Sequence, residues 1–234
     1  MKTIKLLGVW LCVAMLTLPS YAQRNDLILT NSKSIDNNPY EGVEGSPFYF
    51  DNWQKGKIYP ESNSDPIEEV LLNFNGYTKS FEIKKGSRCI ALDEQWYQKV
   101  EIEQKGNLLS YQKGLLPKYN NQFTRAVFLG TTFQIVQEFH VSLTTREKQI
   151  YGKVNEVQSF YPHRNYYFVK NGQGNLLKLK KKSILAFFPT YKSRLERYAK
   201  KSKLKWNSEQ DLVRLFTYYE EIKSATAHSV PGQE

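Results

Sequence analysis

A pair of acidic residues has the spacing that glycoside hydrolases use. Glu101 and Glu103 are two residues apart and alternate with the apolar Val100 and Ile102. In an extended strand both carboxylates lie on one face about 6.6 Å apart, and inverting glycosidases hold their carboxyl groups about 6.5 to 9.5 Å apart. Any exposed strand with acids at this spacing meets that distance, and Lys99 is adjacent. We therefore interpret the pair as a solvated, charged strand face.

A second polar set combines the residue types of nucleophilic catalysis. Glu138, His140 and Ser142 alternate with Phe139 and Val141, so a strand would place a carboxylate, a base and a hydroxyl on one face. Residues two apart along a strand are too widely spaced for direct hydrogen bonds, and catalytic triads are assembled from different segments. We interpret the three residues as a polar sheet face.

Other catalytic and binding motifs are not found in the sequence. His140, His163 and His228 have no metal-ligand spacing. The Gly172-Gln173-Gly174 segment lacks a third glycine and lies between two expected strands, so it does not predict a phosphate-binding loop. Cys89 lies in an apolar run and is interpreted as a structural thiol. The sequence therefore predicts no catalytic residue, no cofactor and no metal.

The first 22 residues have the order of a secretory signal peptide. Lys2 and Lys5 precede an apolar run over residues 6–18, which is followed by Pro19 and the small-residue site Ser20-Tyr21-Ala22. The run has 13 residues, fewer than the roughly 20 of a membrane-spanning helix, and no later stretch is apolar enough to span. We expect export with cleavage after Ala22, to the periplasm, the cell envelope or the extracellular space, and no transmembrane span.

The C-terminal part of the chain is strongly basic. Residues 163–223 contain 15 Lys and Arg against 5 Asp and Glu, whereas residues 23–162 contain 16 against 17. Strand alternation and helical spacing predict one basic surface formed by Lys178, Lys180, Lys182, Arg194, Arg197 and Lys201. Two interpretations remain open. The surface is either a solvated face that maintains solubility or a binding site for an anionic envelope component, which means a glycan, a lipid headgroup or an acidic protein. Nucleic acid is not expected as a partner of an exported protein.

The elements predicted around these residues favour an α+β fold. Asn75-Gly76 between two apolar runs predicts a hairpin with a two-residue type I′ turn. Helical periodicity replaces alternation after Ser183, and Asn207 is expected to cap the last helix. We expect a curved antiparallel β-sheet, a sandwich or half-barrel, followed by a small basic helical C-terminal end. The expected divisions are a signal peptide at 1–22, an extended N-terminal segment at 23–47, a β domain at 48–182, a helical subdomain at 183–223 and a disordered tail at 224–234.

Three blocks of the sequence resemble a family of uncharacterised exported bacterial proteins rich in β-strands. The blocks are GSPFYFDNW at 45–53, LNFN at 72–75, and LAFFP at 185–189 followed by basic helices. The resemblance runs from about residue 40 to residue 222 and implies an exported β-sheet body with a short helical end. It assigns no activity, substrate or site residue. Two functions remain open: a non-enzymatic exported cell-envelope protein that binds a partner or ligand, and an envelope hydrolase whose site is scattered across loops.

Overall fold

The computed structural model describes residues 33–35, 39–62, 65–86, 88–150 and 153–228. The expected signal peptide and the end of the expected tail lie outside these residues. The chain forms one curved, unclosed antiparallel sheet followed by helices, which confirms the predicted α+β class. An open, curved single sheet corresponds to the half-barrel form of the prediction.

Among the described residues, strands predominate up to residue 177 and helices predominate after it. The strands are β1 (Lys33–Ile35), β2 (Gln54–Pro60), β3 (Ile67–Asn75), β4 (Ser80–Lys85), β5 (Arg88–Ala91), β6 (Tyr97–Gln104), β7 (Asn107–Gln112), β8 (Thr124–Leu129), β9 (Gln134–Ile150), β10 (Lys153–Lys170) and β11 (Gln173–Leu177). The helices are α1 (Lys181–Ala186), α2 (Lys192–Lys201) and α3 (Glu209–His228), and short 3₁₀ turns cover Glu94–Trp96, Pro117–Tyr119 and Pro189–Tyr191. Across the sheet the order is β1-β5-β4-β3-β2-β6-β7-β8-β9-β10-β11.

The predicted hairpin over residues 70–83 is present, but its turn differs from the prediction. β3 ends at Asn75, and four residues, 76–79, connect it to β4. The positive φ falls on Lys79, at 60°, and not on Gly76. Asn75 Oδ1 accepts two backbone N–H groups of the turn at 3.0 and 3.1 Å, which stabilises the longer connection. Gly76 is needed for space, because a Cβ there would lie 2.5 Å from the Phe139 ring. The type I′ assignment is therefore wrong.

Strands β9 and β10 form a hairpin much longer than the periodicity of the sequence indicates. Alternation predicts strands that end at Leu143 and begin again at Tyr166, whereas β9 and β10 pair along their whole length. Most side chains near the tip are exposed, so no buried face marks these residues as strands in the sequence. His163, which lies between the two predicted strands, pairs directly with His140 in this hairpin.

The two larger apolar cores of the described residues lie on one face of the sheet. The first is rich in aromatic rings from the strands, and Phe74 and Phe81 lie in it with ring centroids 5.0 Å apart. The second core joins the end of the sheet to the helices, and Phe133 contacts Phe216 of α3 in it. Alternate positions along β9 and the residue before it serve both cores, because Phe133 and Ile135 belong to the second core and Phe139 and Val141 to the first. The buried side chain between the two pairs, at residue 137, is polar.

The helical end begins earlier and extends further than predicted. β11 ends at Leu177 and a helix begins at Lys181, so residues 178–182 do not form a strand. α3 reaches His228, within the segment expected to be disordered. Ser208, and not Asn207, caps α3, since its Oγ accepts the backbone N–H three residues on at 3.4 Å.

None of the helices in the described ranges is both long and apolar enough to cross a membrane.

Candidate functional site

The two carboxylates of β6 lie in different surroundings. Glu101 accepts a hydrogen bond from the Tyr59 hydroxyl at 2.5 Å and forms an ion pair with Lys99 at 2.6 Å, while Glu103 is exposed. Burial opposes ionisation of Glu101, but the hydrogen bonds from Lys99 and Tyr59 outweigh it and lower its pKa. The hydrogen bond to Glu101, assisted by burial, raises the pKa of Tyr59 to about 12. This arrangement agrees with the interpretation as a charged strand face.

The polar set on β9 makes close contacts, and the one between residues two apart on the strand is not a hydrogen bond. His140 Nδ1 lies 3.2 Å from Glu138 Oε1, so residues two apart on the strand do meet, although the pair lacks the alignment of a hydrogen bond. Ser142 Oγ lies 3.0 Å from Nε2 of His163, and the two imidazole rings stack with centroids 4.6 Å apart. The hydroxyl and the carboxylate contact different histidines. A triad needs one imidazole that contacts both, so these residues do not assemble one.

The remaining sequence candidates show no ligand arrangement. Over the described ranges, no three His, Cys, Asp or Glu side chains are placed to hold a metal ion. Cys89 is a half-buried free thiol, and burial raises its pKa, which agrees with a structural role. His228 closes the last helix.

The six predicted basic residues are all exposed, but they are distributed over several elements. Lys178 and Lys180 lie in the bend between β11 and α1, and Lys182 lies in α1. Because no strand forms there, alternation does not place the three lysines on one face. Arg194, Arg197 and Lys201 lie on the outer side of α2, opposite the buried Leu195 and Ala199.

Two adjoining recesses lie beside α1 and α2. The first has a volume of about 620 Å³, and four cations, one carboxylate and one indole are among its lining residues Lys181, Ser193, Glu196, Arg197, Ala199, Lys200, Lys203, Leu204 and Trp206. The second has about 530 Å³ and is lined by Lys181, Lys182, Leu185, Ala186, Pro189, Lys192 and Glu196. Glu196 and Lys181 line both recesses and form an ion pair at 3.4 Å. The first recess, which we call the basic recess, is therefore a concave site with excess positive charge.

The charge of this region was predictable from the sequence, but its geometry was not. Of the six predicted residues, Arg197 lines the basic recess and Lys182 the neighbouring one. Sequence reasoning misses Lys181 because it predicts a strand over residues 178–182, and it misses Lys200 because it considers one stripe of α2. It misses Lys203 because that residue lies beyond the end of α2. Predicting a helix that begins at Lys181 would place the Lys181 side chain beside α2.

Acidic residues of the helical end are engaged elsewhere. Glu209 forms an ion pair with Arg125 of β8 at 2.5 Å. Glu220 accepts hydrogen bonds from the hydroxyls of Thr131 and Thr132 in the β8–β9 connection. Both carboxylates are thus directed at the sheet, and the positive charge on the outer side of α2 is left largely uncompensated.

A larger cavity lies on the sheet, away from the helices. It has a volume of about 810 Å³ and is lined mainly by polar side chains of β2, β6, β7 and the connections beside them, namely Tyr59, Glu61, Glu94, Gln95, Gln98, Lys99, Gln112, Lys113, Gly114, Asn120 and Asn121. We call it the polar cleft. The sequence did not predict it, because five separate segments contribute its lining.

Charges in the polar cleft are paired. Lys113 lies 3.0 Å from Glu61 and also donates to the backbone carbonyl of Glu94. Lys99 pairs with Glu101 at 2.6 Å and lies over the Tyr59 ring at 4.4 Å. Burial raises the pKa of Glu94 to about 7, although Lys113 opposes the shift. The cleft therefore combines many polar groups with little net charge.

A buried polar row lies between the two apolar cores. Tyr111, Arg125, Gln137 and Tyr166 are direct cross-strand neighbours on β7, β8, β9 and β10. Arg125 donates to Gln137 Oε1 at 2.9 Å and to Glu209 Oε1 at 2.5 Å. Tyr166 donates to the same Glu209 oxygen at 2.5 Å, and burial together with this bond raises its pKa. The row therefore attaches the N-terminus of α3 to the sheet.

No protein-family model, curated protein or solved structure matches this chain. The resemblance to exported bacterial β-rich proteins therefore stays a prediction, as do export and location in the envelope. The candidate sites rest on geometry, charge and burial alone.

Proposed function

We propose that this protein is a non-enzymatic, exported cell-envelope protein that binds an anionic envelope component through its basic helical end. The observation that carries the proposal is the basic recess, where Lys181, Arg197, Lys200 and Lys203 line a site of about 620 Å³. A concave site lined by one sign of charge concentrates the electrostatic potential and draws in ligands of the opposite sign. Its one lining carboxylate, Glu196, is already paired with Lys181.

The side-chain chemistry of the recess suits oxygen anions. Arginine presents a planar fork that matches carboxylate and phosphate groups, and lysines act as point charges around it. Trp206 lines the same recess and offers an apolar ring to the body of the ligand. An acidic glycan, a lipid headgroup and an acidic protein segment share these features. Exposed Arg194 and Lys201 extend the positive field along α2.

The test compares two variants of the mature chain that lose the same charge. One replaces Lys181, Arg197, Lys200 and Lys203 with Gln, and the control replaces four exposed lysines of the sheet, Lys55, Lys84, Lys85 and Lys105, with Gln. Both are passed over phosphocellulose in a salt gradient after circular dichroism has verified folding. We expect the recess variant to elute at clearly lower salt than the control, because screened attraction depends on local charge density.

Equal elution of the two variants would contradict the proposal. It would show that retention depends only on net charge, and the basic end would then be a solvated face.

A hydrolase is the second candidate, and Glu94 favours it. A carboxyl group with a pKa of about 7 in a cavity of about 810 Å³ is suited to general acid catalysis. Release of reducing ends from a glycan by the wild-type protein, lost in the Glu94→Gln variant, would replace the non-enzymatic proposal.

A further inference from the structure

We infer that the polar cleft is a second binding site and that its ligand is a neutral saccharide. The inference goes beyond the proposed function, because both the site and the charge of the ligand differ from those of the basic end. It stands on three features of the cleft: its amides, its paired charges and the absence of aliphatic residues from its lining.

Side-chain amides dominate the lining of the polar cleft. Each amide offers two N–H donors and one carbonyl acceptor, and a sugar hydroxyl also donates and accepts, so the two chemistries match. The five amide residues are Gln95, Gln98, Gln112, Asn120 and Asn121.

Three of these amides are held in place by the protein. Gln95 Nε2 donates to Asp93 at 2.7 Å, Gln98 Nε2 to the carbonyl of Pro60 at 3.0 Å, and Gln112 Nε2 to the hydroxyl of Ser110 at 3.1 Å. Fixed polar groups lose little freedom when a ligand binds, which favours a preorganised site. An amide oxygen has two lone pairs, so an amide side chain can also accept from a sugar hydroxyl.

Paired charges in the cleft favour an uncharged ligand. An anion would approach Glu61 and Glu94, and a cation would approach Lys99 and Lys113. Because Lys113 pairs with Glu61 and Lys99 with Glu101, neither sign dominates. With a pKa of about 7, a large share of Glu94 is uncharged near neutral pH, which lowers the field further.

Size and polarity narrow the ligand class. The cleft has about 810 Å³, within the range of small-molecule sites, so it accommodates an oligosaccharide of a few rings. Its lining includes one aromatic ring, that of Tyr59, and no aliphatic side chain. A lipid chain or an apolar peptide side chain would contact only the Tyr59 ring and the carbon stems of polar side chains, and it would displace water from the polar groups without replacing their hydrogen bonds. A hydroxyl-rich ligand avoids that penalty, because hydrogen bonds replace its water.

The experiment titrates the mature protein with defined probes by calorimetry. The probes are neutral trisaccharides of glucose, mannose, galactose and N-acetylglucosamine, with trigalacturonate and the neutral peptide acetyl-Gly-Asn-Ser-amide as comparators. We expect at least one neutral trisaccharide to bind. The double variant Gln95→Ala and Asn121→Ala, both exposed residues, should weaken that binding about tenfold, since it removes two amide partners.

A matched control changes the same residue types outside the cleft. Gln149→Ala with Asn175→Ala alters two exposed amides on β9 and β11 and should leave the affinity unchanged. The inference is overturned if no neutral trisaccharide binds at 10 mM, about the weakest affinity that a specific site would show. It is also overturned if only trigalacturonate or the peptide binds, or if both double variants weaken binding equally. Loss of phosphocellulose retention in the recess variant is an independent readout, so the two proposals fail separately.

Discussion

The polar cleft and the basic recess both contain lysines and glutamates, yet the two sites differ in how those charges are arranged. In the cleft, Lys99 and Lys113 each lie within 3.0 Å of a carboxylate. Among the four cations lining the recess, Lys181 has a carboxylate partner, at 3.4 Å. The number of lysines therefore does not determine which ligand a surface attracts. What matters is whether carboxylates compensate them locally, because screened charges act over about 10 Å at 0.1 M salt.

The variant with the largest expected effect tests whether the sheet, which holds the polar cleft, and the helical end, which holds the basic recess, differ in stability. Arg125 is buried and joins the sheet to Glu209 at the start of α3. The Arg125→Ala variant removes the cation paired with Glu209 and one of the donors to Gln137, and we expect a loss of about 3 kcal/mol in the free energy of unfolding. Hydrogen exchange should show that the amides of α3 lose more protection than those of β6 and β7, because the contact removed is one of those that attach α3 to the sheet.

The control for this variant is Arg214→Ala. Arg214 is exposed and lies 3.5 Å from Asp211 on the same helix, so its loss should change stability by about 0.5 kcal/mol or less. If Arg125→Ala lowers protection uniformly over the sheet and the helices, the two regions unfold as one unit and are not energetically distinct.

A smaller effect on stability is expected from Glu94, a carboxyl group that lines the polar cleft. In the folded protein, burial raises the pKa of Glu94 from its ordinary value of 4.5 to about 7. Between these two pH values the folded state binds more protons than the unfolded state, so this group lowers stability as pH rises through the window. Glu94→Gln should therefore be more stable than wild type at pH 8, by about 1 to 2 kcal/mol after allowance for solvent screening, and equal to it at pH 4.

Chemical denaturation at the two pH values measures this difference. Glu103→Gln on β6 is the control, because its carboxylate is exposed and its replacement should change stability by about 0.5 kcal/mol or less at either pH. A Glu94→Gln variant with no gain at pH 8 would mean that the Glu94 carboxylate is better solvated than its burial indicates.

The smallest effect concerns the single carboxylate that lines the basic recess. Glu196→Gln releases Lys181 from its ion pair and removes one negative charge from the lining. We expect the variant to bind phosphocellulose a few-fold more tightly and to elute at higher salt, as expected when one nearby charge changes in a partly screened site. Unchanged or earlier elution would indicate that the anion does not enter the recess.

The sheet was predictable wherever one face is buried. Phe133, Ile135, Phe139 and Val141 alternate because each contributes to an apolar core, and that alternation indicated β9 correctly. The distal parts of β9 and β10 have no such pattern, because most of their side chains are exposed. The Asn75-Gly76 signal located a hairpin but not its turn, since the close approach of the Phe139 ring, a tertiary contact, explains the glycine.

The sites were less predictable than the fold. Net charge indicated the basic end. Which lysines line the basic recess depends on whether residues 178–182 form a strand or the start of a helix. Arg125 and Glu209 are 84 positions apart, and the cleft draws on segments from Tyr59 to Asn121. Such contacts follow from the order of strands in the sheet, which local patterns do not encode.

The separation of the two sites is tested most directly by a crossed measurement on two variants. The recess variant, with Lys181, Arg197, Lys200 and Lys203 replaced by Gln, and the cleft variant, Gln95→Ala with Asn121→Ala, are each assayed for phosphocellulose retention and for calorimetric binding of the neutral trisaccharides. We predict that the recess variant loses retention and keeps saccharide binding, while the cleft variant does the reverse. If either variant loses both activities while circular dichroism shows it folded, the two sites are not separate and local charge pairing does not determine which ligand each one binds.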